Sequence, residues 1–120
     1  MRKLTVGAIG GALVAAVLAT GASAQERTRV ARDAIMSGDL AKAERTLMAD
    51  RRVYGSTPQL LLNLAVVYAR SGRVMEASAL YREVLGQEDV LMDINADRTA
   101  SAHTIARAGL ERLQPTLATR

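Results

Sequence analysis

The amino-acid sequence predicts an all-α protein built from helical hairpins, and three observations carry that prediction. Apolar residues recur every three or four positions, which places them on one face of a helix. Two Ser-Gly pairs, Ser37-Gly38 and Ser71-Gly72, stand 34 residues apart where one apolar pattern ends and the next begins. No segment combines apolar–polar alternation with enrichment in β-branched residues, so we expect no β-strands. The sequence therefore predicts five helices, arranged as two hairpins and a C-terminal helix.

The first 24 residues have the pattern of a secretory signal peptide. Arg2 and Lys3 precede a stretch of 21 uncharged residues, which ends in the small residues "ASA" before Gln25. This order predicts export and cleavage after Ala24. The alternative is an uncleaved membrane anchor, because 21 uncharged residues are enough to span a bilayer. We favour cleavage because the stretch is rich in Ala and Gly, and no cysteine is present to carry a lipid.

Cleavage leaves a helical domain at residues 25–113 and a C-terminal tail at residues 114–120, which we expect to fray. Without the leader, 14 of the 16 basic residues remain against 12 acidic ones, a balance that does not favour a polyanionic partner. The chain has no Phe and no Trp, so it has little aromatic surface on which nucleic-acid bases could stack. We therefore expect a periplasmic protein with no nucleic-acid partner, and no membrane contact unless the leader is retained.

The first hairpin is predicted on either side of Gly38. Glycine at that point favours the left-handed conformation that ends a helix, and Asp39 stands where the next helix needs an N-cap. The apolar positions of the two helices are Val30, Ala31 and Ala34, followed by Leu40, Ala43, Leu47 and Tyr54.

The second hairpin has stronger signals. Thr57 as N-cap, with Pro58 at the first helical position, predicts the start of a helix. Gly72 predicts the turn, and Gly86 predicts the end of the second helix. The apolar faces are Leu61, Leu64, Ala65 and Tyr68, then Val74, Ala77, Tyr81, Val84 and Leu85.

One more helix is predicted beyond Gly86. Asp93 or Asn95 would cap its start, and Pro115 would end it because proline cannot donate a helix hydrogen bond. Its thinner apolar stripe consists of Ala102, Ile105, Gly109 and Leu113.

The 34-residue interval is the period of the tetratricopeptide repeat, and the stretch from Leu60 to Leu85 resembles that family. The matching positions are Leu64, Ala65, Tyr68, Gly72, Ala77, Tyr81 and Val84, while Leu61 stands where the family usually has Trp. The first copy, from Glu26 to about Tyr54, matches less well, because Asp50 occupies a position that is small and apolar in the family. The resemblance implies a tetratricopeptide-like fold of about two repeats with a C-terminal capping helix. An ordinary helical hairpin bundle is the alternative.

No set of residues predicts catalysis. His103 is the only histidine, so the chain offers neither a metal cluster nor a Ser-His-Asp arrangement. We interpret it as an inert side chain in the middle of the last helix. We therefore expect no enzyme, no metal and no cofactor.

The resemblance implies a binding groove on the inner face of the first helix of each repeat. The candidate groove residues are Arg29, Arg32, Leu62, Asn63, Val66 and Arg70. Arg32 and Asn63 together suit a carboxylate or a peptide backbone, although a solvated helix face also explains the arginine. Leu62 and Val66 lie off the apolar stripe, so either the flanking helices or a partner must cover them.

These expectations favour an exported, non-catalytic module that binds a peptide segment or helix of another protein. The first alternative is a self-associating structural protein of the cell envelope, because two repeats are fewer than the three usually needed for stability. A small enzyme or ligand-binding protein is the second alternative, but the sequence shows no convergent polar site for it.

Overall fold

The computed structural model describes residues 26–27 and 29–118. Within that part of the chain it has five helices and one two-stranded sheet, which confirms the all-α helical-hairpin fold. The elements are α1 (residues 29–37), α2 (Leu40–Tyr54), α3 (Pro58–Arg70), α4 (Val74–Leu85), β1 (Leu91–Asn95), β2 (Arg98–Ser101) and α5 (Ala102–Ala118). The predicted leader, residues 1–24, lies outside the described residues.

The first hairpin, α1 and α2, turns where the sequence predicts. Gly38 has a φ of 82°, in the left-handed region that glycine adopts without strain. The carboxylate of Asp39 accepts a hydrogen bond from the amide of Lys42 at 3.2 Å, so the predicted N-cap is confirmed. Tyr54 lies on the same face of α2 as Leu47, as predicted, but it is 46% exposed and does not belong to the core.

The second hairpin, α3 and α4, also begins and turns as predicted. The hydroxyl of Thr57 accepts from the amide of Leu60 at 3.3 Å, and Pro58 is the first helical residue. Gly72 has a φ of 78°, and the amide of Arg73 donates to the carbonyl of Tyr68 at 2.8 Å across the turn. The buried faces of these two helices form the centre of the hydrophobic core, which contains Leu61, Leu64, Ala65, Ala77 and Val84.

The expectation of no strands is wrong. β1 and β2 form an antiparallel hairpin with Leu91 opposite Ser101 and Asp93 opposite Thr99. Asn95 accepts from the amide of Asp97 at 3.1 Å, so it stabilises the turn of this hairpin and does not cap a helix. The strands are short and mostly exposed, so they lack the buried alternation by which a sequence predicts a strand.

The last helix, α5, packs against α4 and α3. It starts at Ala102, where the hydroxyl of Ser101 accepts from the amide of Thr104 at 3.1 Å. The predicted caps Asp93 and Asn95 are therefore wrong, and so is the predicted end at Pro115. That proline lies inside the final turn of a helix that continues to Ala118. Because proline has no N–H, Pro115 cannot donate to the carbonyl of Glu111 four residues earlier, and so close to the helix end the loss is limited to that one bond.

Among the described residues, no helix has both the length and the apolar composition needed to cross a membrane.

Candidate binding clefts

The sequence-predicted groove residues fall into different environments. Leu62 is only 5% exposed and belongs to the hydrophobic core, whereas Val66, one turn further along α3, is 37% exposed. The flanking helices of the protein itself therefore cover Leu62, and they leave Val66 at the surface.

The three arginines among the predicted groove residues also differ. Arg29 is exposed and lies 3.5 Å from the carboxylate of Glu26, three residues earlier in the chain. Arg70 donates a 2.6 Å hydrogen bond to the carbonyl of Ile35 near the end of α1, so it ties α3 to α1. Arg32 lines a cleft. Of the three, Arg32 is the one that lines either of the two clefts.

Asn63 lines a second cleft, which we call the inner cleft. It has a volume of about 200 Å³ and lies between α1, the second half of α2 and the start of α3. The eight residues that line it are Ala31, Leu47, Asp50, Tyr54, Thr57, Gln59, Leu60 and Asn63.

Helical spacing explains how these side chains meet. Leu47, Asp50 and Tyr54 follow one another at intervals of three and four residues, so they share one face of α2. Gln59 and Asn63 are four residues apart and share one face of α3. The two faces enclose a space with apolar walls and a few polar groups, which is typical of a ligand site.

Asp50 is the charged residue of the inner cleft. Its side chain is 9% exposed, and its Oδ1 lies 3.5 Å from Nη1 of Arg27. That distance exceeds the roughly 2.7–2.9 Å of a strong charge-assisted hydrogen bond. Arg27 itself is about half exposed. The carboxylate is therefore buried with a weakly held partner.

The cleft lined by Arg32, which we call the outer cleft, has a volume of about 540 Å³. One wall is formed by Arg32 of α1 and by the first residues of α3, and the other by residues 90–93 at the start of β1. Thr57 and Gln59 line both clefts, so the inner and outer clefts lie side by side at these two residues.

Strand β1 presents unpaired backbone groups as well as side chains. The amide of Ala102 donates to the carbonyl of Val90 at 2.8 Å. Because hydrogen-bonded and non-hydrogen-bonded pairs alternate in an antiparallel ladder, Leu91 and Asp93 direct their amides and carbonyls away from β2. The Leu91 side chain is 78% exposed. Within the part of the chain that the structure describes, β1 therefore has a free edge, and an apolar side chain lies on it.

Several ionisable groups with shifted pKa values lie elsewhere, around the turn between α3 and α4. Arg73 donates hydrogen bonds to Glu76 and, at 2.7 Å, to Glu44, and these bonds raise the pKa of Arg73. The bond from Arg73 lowers the pKa of Glu76. The guanidinium also lies 4.1 Å from the ring centre of Tyr68, whose pKa is raised mainly by burial. This cluster fastens α2, α3 and α4 together and lines neither cleft.

His103 has a structural role that the sequence analysis missed. It is the second residue of α5, not a mid-helix residue, and its ring Nε2 lies 2.8 Å from the carbonyl of Gln87. Its amide donates to Asp89 at 2.9 Å, and this bond is the main cause of a lowered pKa of Asp89. The interpretation of His103 as inert is therefore wrong, because it joins the loop after α4 to the start of α5.

Within residues 26–27 and 29–118, no group of three or more acidic, histidine or cysteine side chains is placed to hold a metal ion. Comparison with known proteins finds no matching family model, no matching curated protein and no matching solved structure. The geometry of the clefts is therefore the basis for assigning a function.

Sequence reasoning found part of this site and missed part. It identified Arg32 and Asn63 as cleft residues, and it noted Asp50 as a departure from the repeat pattern without assigning a role to it. The wall formed by β1 had no usable signal, because the strand itself was not predicted. A buried acid at an apolar position of the repeat was the signal that could have located the inner cleft.

Proposed function

We propose that the chain is an exported, non-catalytic interaction module of the tetratricopeptide type, which binds a segment of another protein across two adjacent clefts. The observation that carries the proposal is that Thr57 and Gln59 line both the inner and the outer cleft, so the two lie side by side. Together they offer apolar walls, the amides of Gln59 and Asn63, and the guanidinium of Arg32. These groups suit a peptide with both backbone and side-chain contacts.

The turn geometry supports the tetratricopeptide assignment. Gly38 and Gly72 stand one repeat period apart, and both adopt positive φ angles between the two helices of a hairpin. In this proposal the leader directs the chain to the periplasm and is removed after Ala24, so the mature protein begins at Gln25.

Site-specific photo-cross-linking in the periplasm tests the function. A photoreactive amino acid at Gln59 should form an adduct with another protein, because Gln59 lines both clefts. The same amino acid at Glu111, which is exposed on α5, is the matched control and should not form that adduct. Identical adducts from both positions, or none from Gln59, would count against the cleft as a binding site.

A specific observation favours a second candidate, a self-associating protein of the cell envelope. β1 has a free edge, and an unpaired edge with an exposed apolar residue is a surface on which strands of two copies can pair. In the cross-linking experiment, this candidate predicts adducts between two copies of the chain.

A further inference from the structure

We propose that the inner cleft takes a basic side chain of the bound partner segment, with the Asp50 carboxylate as its counter-ion. The inference rests on the function proposed above and specifies the chemistry of the segment that the clefts bind. Among the eight residues that line the inner cleft, Asp50 is the one with a formal charge. Charge complementarity therefore favours a cation over a neutral or acidic group.

Burial makes the carboxylate of Asp50 dependent on a partner. Moving a charged group out of water is unfavourable unless a counter-charge and hydrogen bonds compensate for the lost hydration. Arg27 supplies one contact at 3.5 Å to Oδ1 from a half-exposed position. A carboxylate has two oxygens and can accept several hydrogen bonds. A second cation can therefore share Asp50 with Arg27 or displace it.

The second hairpin shows what this position requires for folding alone. Val84 stands 34 residues after Asp50, at the equivalent point of α4, and it is 1% exposed within the core. At this position of the second hairpin, an apolar residue packs into the core. In the first hairpin the equivalent residue is an acid beside an open cleft of about 200 Å³. We attribute the aspartate in place of an apolar residue at this position to ligand binding.

The remaining walls fit the shape of a basic side chain. Ala31, Leu47 and Leu60 offer apolar surface to its aliphatic stem, because lysine and arginine bury their stems while their charged ends find polar partners. The side-chain oxygens of Gln59 and Asn63 can accept hydrogen bonds from the charged end. Binding is non-covalent and involves no proton transfer.

The first test is a nuclear magnetic resonance titration of the exported protein with capped lysine, N-acetyl-lysine methylamide. The side-chain amide signals of Gln59 and Asn63 should shift and saturate. The Nε-acetylated form of the same probe is neutral and should leave them in place. Asp50→Asn should weaken binding of capped lysine by about tenfold or more, since it removes a charged hydrogen-bond partner. Asp97→Asn, the same change on the exposed β-turn, is the matched control and should bind like the wild type.

Arg27→Gln separates a ligand site from an internal ion pair. If Arg27 competes with the ligand for Asp50, its removal should tighten binding of capped lysine several-fold. If Asp50 serves only Arg27, the variant should lose thermal stability and gain no affinity, and the proposal is overturned. This variant also decides the question if Asp50→Asn does not fold.

Two further outcomes are informative. Tighter binding of the free diamine cadaverine than of capped lysine would identify a small-amine site and overturn the assignment to a partner side chain. If capped lysine does not bind in this titration but the Gln59 position still forms cross-links with another protein, the proposed binding of a basic side chain to Asp50 is refuted. The proposed function as an interaction module would be unaffected.

Discussion

Single residues determine how closely α5 approaches α4. A Cβ atom added at Gly109 would lie 2.3 Å from Cζ of the buried Tyr81 ring, so the ring or the helix must shift. Gly109→Ala should therefore lower the free energy of unfolding by about 1–3 kcal/mol, measured by urea denaturation. Gly86→Ala is the matched control, because its Cβ would meet nothing nearer than 3.5 Å. Equal losses in both variants would refute close packing at Gly109.

The two apolar residues predicted for the groove, Leu62 and Val66, should differ in how much their substitution destabilises the protein. Leu62 is buried in the core, so Leu62→Ala should lower the free energy of unfolding by about 2–5 kcal/mol. Val66 is more than one-third exposed, so Val66→Ser should lower it by only about 1 kcal/mol. Chemical denaturation of both variants checks this, and a loss for Val66→Ser as large as that for Leu62→Ala would contradict the observed difference in burial.

Asp89 should make the start of α5 sensitive to acid. The amide of His103 and the hydroxyl of Ser101 hold the pKa of Asp89 below its usual range. A carboxyl with a lowered pKa in the folded state stabilises the protein above its unfolded pKa, and this stabilisation is lost as pH falls through the folded pKa. The melting temperature of the wild type should exceed that of Asp89→Asn at neutral pH, and the difference should shrink below about pH 4. A difference that does not depend on pH would exclude the charge of Asp89 as its cause.

At the scale of elements, the helix boundaries that could be predicted depend on local contacts. The caps formed by Asp39 and Thr57 act over three residues, and both residues of each contact are visible in a short stretch of sequence. The start of α5 has a local cap too, from Ser101 to Thr104, but it also depends on a hydrogen bond between residues 14 positions apart, from the His103 amide to Asp89. Spacing in the sequence cannot reveal the second bond, and the predicted start of α5 was wrong.

The cleft residues likewise divide into those that the sequence could predict and those that depend on how distant segments pack together. Asn63 could be assigned to the inner face of α3 because of the resemblance to the tetratricopeptide repeat, whose pattern implies which positions face the groove. The burial of Asp50 depends on how α1, α2 and α3 pack together, and the wall formed by β1 depends on a strand with mostly exposed side chains. Neither follows from periodicity.

At the scale of the whole molecule, the two clefts differ in charge. The inner cleft has the single negative charge of Asp50, whereas the outer cleft has one charge of each sign, on Arg32 and Asp93. Because the clefts share Thr57 and Gln59 and lie side by side, a single extended segment can reach both. On the proposals above, a partner with a basic side chain and a nearby carboxylate complements this surface better than a uniformly basic or acidic one.

The free edge of β1 provides the test between an interaction module and a self-associating protein. For an interaction module we expect the purified chain to sediment as a monomer. Leu91→Lys should leave it a monomer, because a charge on an exposed edge strand opposes strand pairing and a monomer has no such pairing to lose. Met36→Lys is the matched control, since Met36 is an equally exposed apolar residue on α1. Analytical ultracentrifugation measures the mass of each variant. A wild-type dimer that Leu91→Lys dissociates and Met36→Lys preserves would establish pairing through β1, and the self-associating function would then replace the one proposed.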